Sequence, residues 1–485
     1  MLLVHPVHEV LRQLPLLVGS IVLGSATNNP LWSLLGLAII IGLGLARWFT
    51  TTYRIDAEDV QLRTGVLQRN ALSVPRNRIR SVQTDARLLH RLLGLTVLRV
   101  STGQETTFEL DAVEAAQVPR LRAILLADSQ TATGPLGPTG PVGTALARWQ
   151  PSWLRYSPLS WSGLLTIAAG VGLVYQAGFG ELVRRSAAVQ SGLDAAAQFG
   201  VAAAVAVVGG GVLVASVLLS VGRSLLTYGN LVLERRGDNL HLQHGLLRVR
   251  EHTYDMRRLR GGTLREPLLV RMLGGARLDA VMTGVAGAGE SSLLLPPCPG
   301  ATARGVLTSL VGDDVTVASG PLRRHGPAAV RRRWTRALLL PAVAGLTLVV
   351  VAVTVGVPVW LWPVWVVLVA ASAALAADRV AALGHRVGSG WLVARSGSVE
   401  RRRDCVQTAG VIGWTVRQTF FQRRAGVATL IAATAAGTKR YEIIDVPADQ
   451  VWAVAGAASP WVADSVWAHS STCATSRKGG VEGPK

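Results

Sequence analysis

Three arginines alternate along residues 72–82, at Arg76, Arg78 and Arg80, with the aliphatic Ile79 on the other face. Alternate side chains of an extended strand share a face, so this segment would set a row of guanidinium groups against an apolar row. Guanidinium forks match phosphate and carboxylate oxygens, and a cation beside an anionic leaflet gains roughly 1 kcal/mol. The chemistry on offer is the grip of anionic lipid headgroups or of an acidic partner. Arg258 and Arg260 repeat the pattern, and Arg401, Arg402 and Arg403 form a third basic run. The plainer reading of each row is a solvated strand face. No aromatic platform interleaves with these arginines, which disfavours nucleic acid. No GxSxG, HExxH, phosphate-loop or paired-carboxylate arrangement occurs in a suitable setting. His5 and His8 have no further ligands nearby. The chain is therefore expected to be no enzyme and to need no metal or cofactor.

These arginines must be positioned by something, and a long-period repeat supplies it. Three times a Gly is followed 26 residues on by an Arg and 29 residues on by a second Gly. The sets are Gly65–Arg91–Gly94, Gly245–Arg271–Gly274 and Gly397–Arg423–Gly426. Fourteen residues past the first Gly the chain is aliphatic each time, at Ile79, Leu259 and Val411. A period above a hundred residues describes one module used three times. Each copy reads as a strand hairpin ending in Gly, a basic strand, a helical turn closed by Arg-x-x-Gly, two further strands and a helix. The third copy is degraded: Gly410 and Ile412 stand where the others place arginine. The recurrent arginine is expected to bond the last carbonyls of its helical turn.

Composition places these modules at a membrane. Hydrophobic residues make up 49% of 485 and charged residues 16%, with a net charge of +20. Three cysteines lie far apart and define no disulfide framework. Apolar segments precede each module in pairs: Leu14–Ala26 with Leu31–Ala46, Pro158–Ala177 with Ala195–Ser220, and Ala337–Val357 with Val359–Ala377. The short bends carry few cations, whereas the opposite side carries Arg331, Arg332, Arg333, Arg336, Arg379 and many more. The positive-inside rule then puts all three modules and both termini in the cytoplasm.

With Gly65, Val74-Pro75-Arg-Asn-Arg-Ile79 and Arg91-Leu-Leu-Gly94 in place, the chain resembles the bacterial PH-like membrane proteins of the YdbS/YdbT kind. The match is close in the first module, moderate in the second and weak in the third. The resemblance implies an α+β membrane protein: three PH-like antiparallel β-barrel domains with C-terminal helices, alternating with three transmembrane helix pairs. The expected boundaries are 10–49 helix pair, 50–127 first domain, 128–150 linker, 158–222 helix pair and 223–312 second domain. They continue with 313–335 basic linker, 337–377 helix pair, 378–459 divergent third domain and 460–485 disordered tail. The basic signature of phosphoinositide binders is not evident, so no such ligand is expected. The function expected is a scaffold or binding protein of the cell membrane, in contact with anionic inner-leaflet lipids and possibly with a second membrane protein. The alternative is a lipid-handling or export component whose helix pairs form a passage.

Overall fold

The computed structural model describes residues 143–160, 201–284 and 292–462 continuously, with strand segments between 52 and 121 and isolated positions between 163 and 172. The first expected helix pair, the first arm of the second pair, Gly65, Arg76, Arg78, Arg80, Arg91 and the tail beyond residue 462 lie outside the described residues.

Each module contributes six strands. The first supplies β1 (Thr52–Ile55), β2 (Asp59–Thr64), β3 (Asn70–Pro75), β4 (Ser81–Ala86), β5 (Leu95–Ser101) and β6 (Thr107–Glu114). An added strand, β7 (Thr144–Arg148), and a long helix, α1 (Val201–Tyr228), precede the second module. That module holds β8 (Val232–Arg236), β9 (Asn239–His244), β10 (Val249–Asp255), β11 (Leu259–Pro267), the turn α2 (Leu268–Met272), β12 (Gly275–Met282), β13 (Leu293–Pro299) and α3 (Gly300–Leu310). After α4 (Val315–Ser319) come the long helices α5 (Gly326–Thr354) and α6 (Leu361–Ala382). The third module is β14 (Gly384–Gly388), β15 (Trp391–Ser396), β16 (Glu400–Gln407), β17 (Val411–Arg417), α7 (Phe420–Ala425), β18 (Val427–Thr434), β19 (Arg440–Pro447) and α8 (Val451–Ala458).

The expected closed barrels do not form; the sheets are open. Within a module the third and fourth strands do not pair. Instead the fourth strand bonds to the third strand of the next module, β4 to β10 and β11 to β16. The sheets are therefore β1-β2-β3, β6-β5-β4-β10-β9-β8-β7, β13-β12-β11-β16-β15-β14 and β17-β18-β19. The chain divides into two compact units that cut the second module between its third and fourth strands, so each unit holds one of these shared sheets whole.

Both junctions use one register. Six residues past its repeat glycine, Glu251 faces Thr84, nineteen past Gly65; Arg403 faces Leu264 at the same two offsets. The next pairs, His252 with Gln83 and Asp404 with Thr263, keep step. An ion pair closes each junction at equivalent positions, with its signs exchanged. Arg248 on the incoming strand bonds Asp85 in the first. In the second Arg265 meets Glu400 at 2.9 Å, with Glu400 now on the incoming strand.

In each end module the two sheets sandwich an apolar core. Val60, Val74, Leu98, Val100 and Val113 fill the first. Leu392, Ala394, Val406, Leu430, Tyr441 and Ile443, capped by Val451 and Val454 of α8, fill the third. The expected helix from Val113 starts later, because β6 runs on to Glu114 and commits Val113 to the core.

The repeat glycines have two separate reasons. Gly94, Gly274 and Gly426 have φ of 67°, 74° and 68°, all left-handed, and the latter two follow the helical turns α2 and α7. Gly245 and Gly397 have φ of 105° and 95°, and an added Cβ would overlap the carbonyl of Arg248 or Glu400. Gly426→Ala should therefore cost roughly 1–2 kcal/mol of stability. Gly397→Ala, which adds overlap to strain, should cost about 3 kcal/mol or more. Urea unfolding of the detergent-solubilised variants measures the order; equal losses would refute the steric account.

Candidate functional site: the base of the apolar hairpin

Among the described residues two helices, α5 and α6, are long and apolar enough to cross a bilayer. They form an antiparallel hairpin through residues 355–360, with Gly356 at φ 85° in the bend. α5 begins eleven residues before the expected segment, so Arg331, Arg332, Arg333 and Arg336 belong to its first turns rather than to a linker. The hairpin is held by a close approach. Gly345 faces the Trp365 indole, where a Cβ would stand 2.8 Å from the ring, and Trp365 Nε1 donates to the Pro341 carbonyl at 2.9 Å. Elsewhere Leu339, Leu340, Val343, Leu346, Val350, Val364, Val366 and Val367 are exposed. Such a surface suits hydrocarbon rather than water.

Two carboxylates, Asp445 buried and Asp378 half-buried, fix the base of this hairpin to the sheets. Asp445, wholly buried, receives Arg332 at 2.5 Å and Arg333 at 2.8 Å from α5. It also accepts from Gln422 Nε2 of α7 at 3.0 Å. Asp378 at the end of α6 accepts from Arg271 of α2 at 2.8 Å and from Arg401 of β16 at 2.6 Å. A buried carboxylate needs compensating cations and hydrogen bonds. Here the cations come from the helix in one lock and from the sheets in the other.

These locks settle where several sequence-predicted residues go. Arg271 reaches across to Asp378 rather than back to the carbonyls of its own turn. Arg423 ends α7 exposed. Arg401 belongs to the Asp378 lock, and Arg402 meets Asp404 at 3.2 Å. Buried Arg403 donates to the carbonyls of Val317 at 2.9 Å and Gly320 at 3.0 Å, closing the end of α4, and burial pushes its pKa down. Arg260 Nη1 donates to Gln407 at 2.9 Å, while Arg258 lies in the turn ahead of β11. Among the described residues these arginines are thus spent largely on internal carboxylates, carbonyls and, for Arg260, an amide.

What remains outward at the base is different. The turns α2 and α7 occupy the same place in their modules, one beside Asp378 and the other packed on α5. Both expose large apolar side chains. On α2 these are Leu269, Met272 (74% exposed) and Leu273, with Val399 alongside; on α7 they are Phe420 (65%) and Phe421 (72%). Arg423 and Arg424 beside the phenylalanines, and Arg331 and Arg336 on α5, are exposed as well. α7 is held rigidly for so short a turn. Thr419 and Gln422 form a reciprocal capping box, and Gln422 also bonds Thr429 at 2.8 Å. Apolar tips ringed by arginine at the foot of an apolar hairpin long enough to cross a bilayer have the composition of an interfacial anchor. The sequence carried the signal in Phe420-Phe421 followed by Arg423-Arg424, but only a shared location with α2 gives it meaning.

A cleft of about 430 Å³ opens between β14 and α8, lined by Arg323, His385, Arg386 and Gln450 among others. Behind it His325 Nδ1 donates to the Ile444 carbonyl at 2.8 Å, which leaves His325 Nε2 to accept from His385 Nδ1 at 2.8 Å. Burial, then the neighbouring His325 and Arg323, pushes the His385 pKa down to about 4. Burial likewise lowers that of His325.

Comparison with known proteins gives one finding. The family model described as bacterial PH domain matches residues 10–129 and 336–459, just over half the chain. No curated protein and no solved structure matches.

The histidine pair makes acid stability testable. Unfolded, His385 titrates near its usual value; folded, it holds a proton only near pH 4, so the unfolded chain binds more protons between these limits. Stability is complete at neutral pH and should fall through that window by at most about 3 kcal/mol. His385→Asn keeps a donor for His325 and should remove most of the slope in urea titrations at pH 4.5 and 7. An unchanged slope would exclude the pair as its source.

Proposed function

The chain belongs to the bacterial PH domain family, and we propose that it is an integral membrane scaffold whose PH-like modules lie against the anionic cytoplasmic leaflet. The observation that carries this reading is the pair of equivalent turns, α2 and α7, with exposed Met272, Leu273, Phe420 and Phe421 beside exposed arginines at the foot of an apolar hairpin. A hairpin alone would tether a module at any angle. Two apolar tips, fixed through Asp378 and Asp445, would add a defined orientation at the interface. Each exposed arginine would contribute roughly 1 kcal/mol toward anionic headgroups. The excess of arginine at this end of the hairpin supports a cytoplasmic placement. The direct packing of Trp365 on Gly345 supports a solid anchor over the wall of a passage.

The modules would then hold a protein partner at the inner leaflet, with the sheets as the presented surface and no chemistry performed. The lipid contact is read with the full chain in liposomes made with brominated lipid. A fluorophore at Phe421→Cys, in a Cys473→Ser background, should be quenched, and one at Ile412→Cys much less. Spin-labelled phosphatidylglycerol should be enriched around the wild type over phosphatidylcholine. Arg331→Gln, Arg336→Gln, Arg423→Gln and Arg424→Gln together should abolish that preference. An unquenched Phe421 position, or undiminished lipid selection by the fourfold variant, would overturn the reading.

A further inference from the structure

Every third and fourth strand of the repeat has an inter-module partner except two. β10 pairs with β4 and β16 with β11, but β3 has only β2, and β17 only β18, among the described residues. These are the third strand of the first module and the fourth strand of the last, the two halves of a junction that is not completed among the described residues. We propose that β17 of one copy pairs antiparallel with β3 of a second copy, so that copies join head to tail through the same junction that links modules within the chain.

The register is already specified. Applying the offsets shared by both internal junctions places Ala71 opposite Val416, Leu72 opposite Thr415 and Ser73 opposite Trp414. Faces agree with this register. In the second internal junction the core-facing residues of the fourth strand meet residues of the third strand that point away from their own core. Leu264 meets Arg403 there, and Gly262 meets Cys405. In the proposed junction Trp414 and Val416, packed on the third core, would meet the small exposed Ser73 and Ala71.

β17 also has the shape of a strand built for this contact. It carries a bulge at Val411/Gly413, the same repeat position as the Leu259/Gly261 bulge of β11. At Gly261 an added Cβ would overlap the Cys405 carbonyl of the incoming strand, so glycine is required there. At Gly413 an added Cβ would meet only the Ala433 Cβ, at 3.9 Å. Gly261 has φ 139° and Gly413 does not share that conformation, so neither strain nor packing requires glycine at 413 in the isolated chain; the glycine leaves this edge free to take up the Gly261 geometry when a strand arrives. Charge guards neither edge strongly, although β3 ends in Pro75 and β17 is bulged. β3 carries no charge, β17 carries only Arg417, and Ile412 is 70% exposed. Free edges in stable proteins are normally blunted by inward charges or covered. The occupant is a second copy because the only strands seen to pair at these positions are the repeat's own.

The test uses the full chain in liposomes, with Cys473→Ser; Cys298 and Cys405 are buried, their thiols pushed up to about 12. Two differently tagged copies carry Ala71→Cys and Val416→Cys respectively. Mild oxidation should yield a disulfide-linked heterodimer at least roughly tenfold above that from Pro75→Cys with Val416→Cys, since only facing residues bring Cβ atoms within about 5 Å. A chain bearing both Ala71→Cys and Val416→Cys should give a ladder of covalent multimers. Gly413→Val should abolish the link while leaving the melting temperature of the chain unchanged. No heterodimer, an internally linked monomer in place of the ladder, or full linkage by the Gly413→Val copy would each overturn the proposal. The lipid reading is independent, because its fluorophore and spin-label readouts do not require copies to associate.

Discussion

The architecture rests on one set of hydrogen bonds, those between the fourth strand of a module and the third strand of its successor. Closing that ladder inside a module would give a barrel; closing it across modules gives open sheets that link neighbours. The choice is visible in the charges. Asp85 with Arg248 and Arg265 with Glu400 sit at equivalent positions but exchange sign. Were β4 to take β16 as its neighbour, Asp85 would face Glu400; were β11 to take β10, Arg265 would face Arg248. Each pair is only partly buried, so losing it would cost about 1–3 kcal/mol, while a wrong order would also set like charges face to face; the exchange therefore penalises wrong order more than it rewards right order. The backbone supplies a junction that any two modules can make, and the ion pair restricts which two do.

The apolar hairpin is coupled to this scheme by two carboxylates. Asp445 takes its cations from α5, and Asp378 on α6 takes its cations from α2 and β16. Because Arg401 on β16 is within a junction strand and Arg271 lies in the turn that follows the strand paired with it, the hairpin grips both sides of one junction at once. A module tilting away from its neighbour would have to break Asp378 from one arginine or the other. The hairpin is therefore more than an appendage: its angle to that shared sheet is fixed, and in the proposed membrane placement that would set how the sheet meets the bilayer.

What the sequence disclosed follows from how far each constraint reaches. The glycines were legible because a positive φ is a local demand that one residue type meets without strain, and Gly94, Gly245, Gly274, Gly397 and Gly426 all have it. Leu259 and Val411, aliphatic at a fixed offset, open the fourth strands. The α5–α6 hairpin was legible from length and hydropathy, though its basic first turns read as a linker because arginines mask helical periodicity. The pairing of fourth with third strands was not legible, since partners such as Thr263 and Asp404 lie 141 residues apart and no spacing rule reaches so far. For the same reason Arg401, Arg402 and Arg403 read as an outward basic face. Their carboxylates and carbonyls are invisible until the sheet brings them close.

A repeat that joins its neighbours by strand edges faces a problem at its ends, and solenoid-like arrays usually solve it with capping repeats that differ from the rest. Divergence in the third module does not have that character. Its last junction strand keeps the bulge, keeps glycine where a neighbour's carbonyl would need room, and adds no inward charge. What has been lost instead is the arginine pattern, with Gly410 and Ile412 in its place, and the loss makes the edge less charged and more apolar. In water such an edge would invite indiscriminate aggregation. If α5 and α6 hold it at a bilayer as proposed, it would meet other chains only within the membrane plane and at a fixed height, restricting the strands that can reach it to those presented at the same height. The same anchoring that orients the modules would thus turn an aggregation hazard into a selective contact.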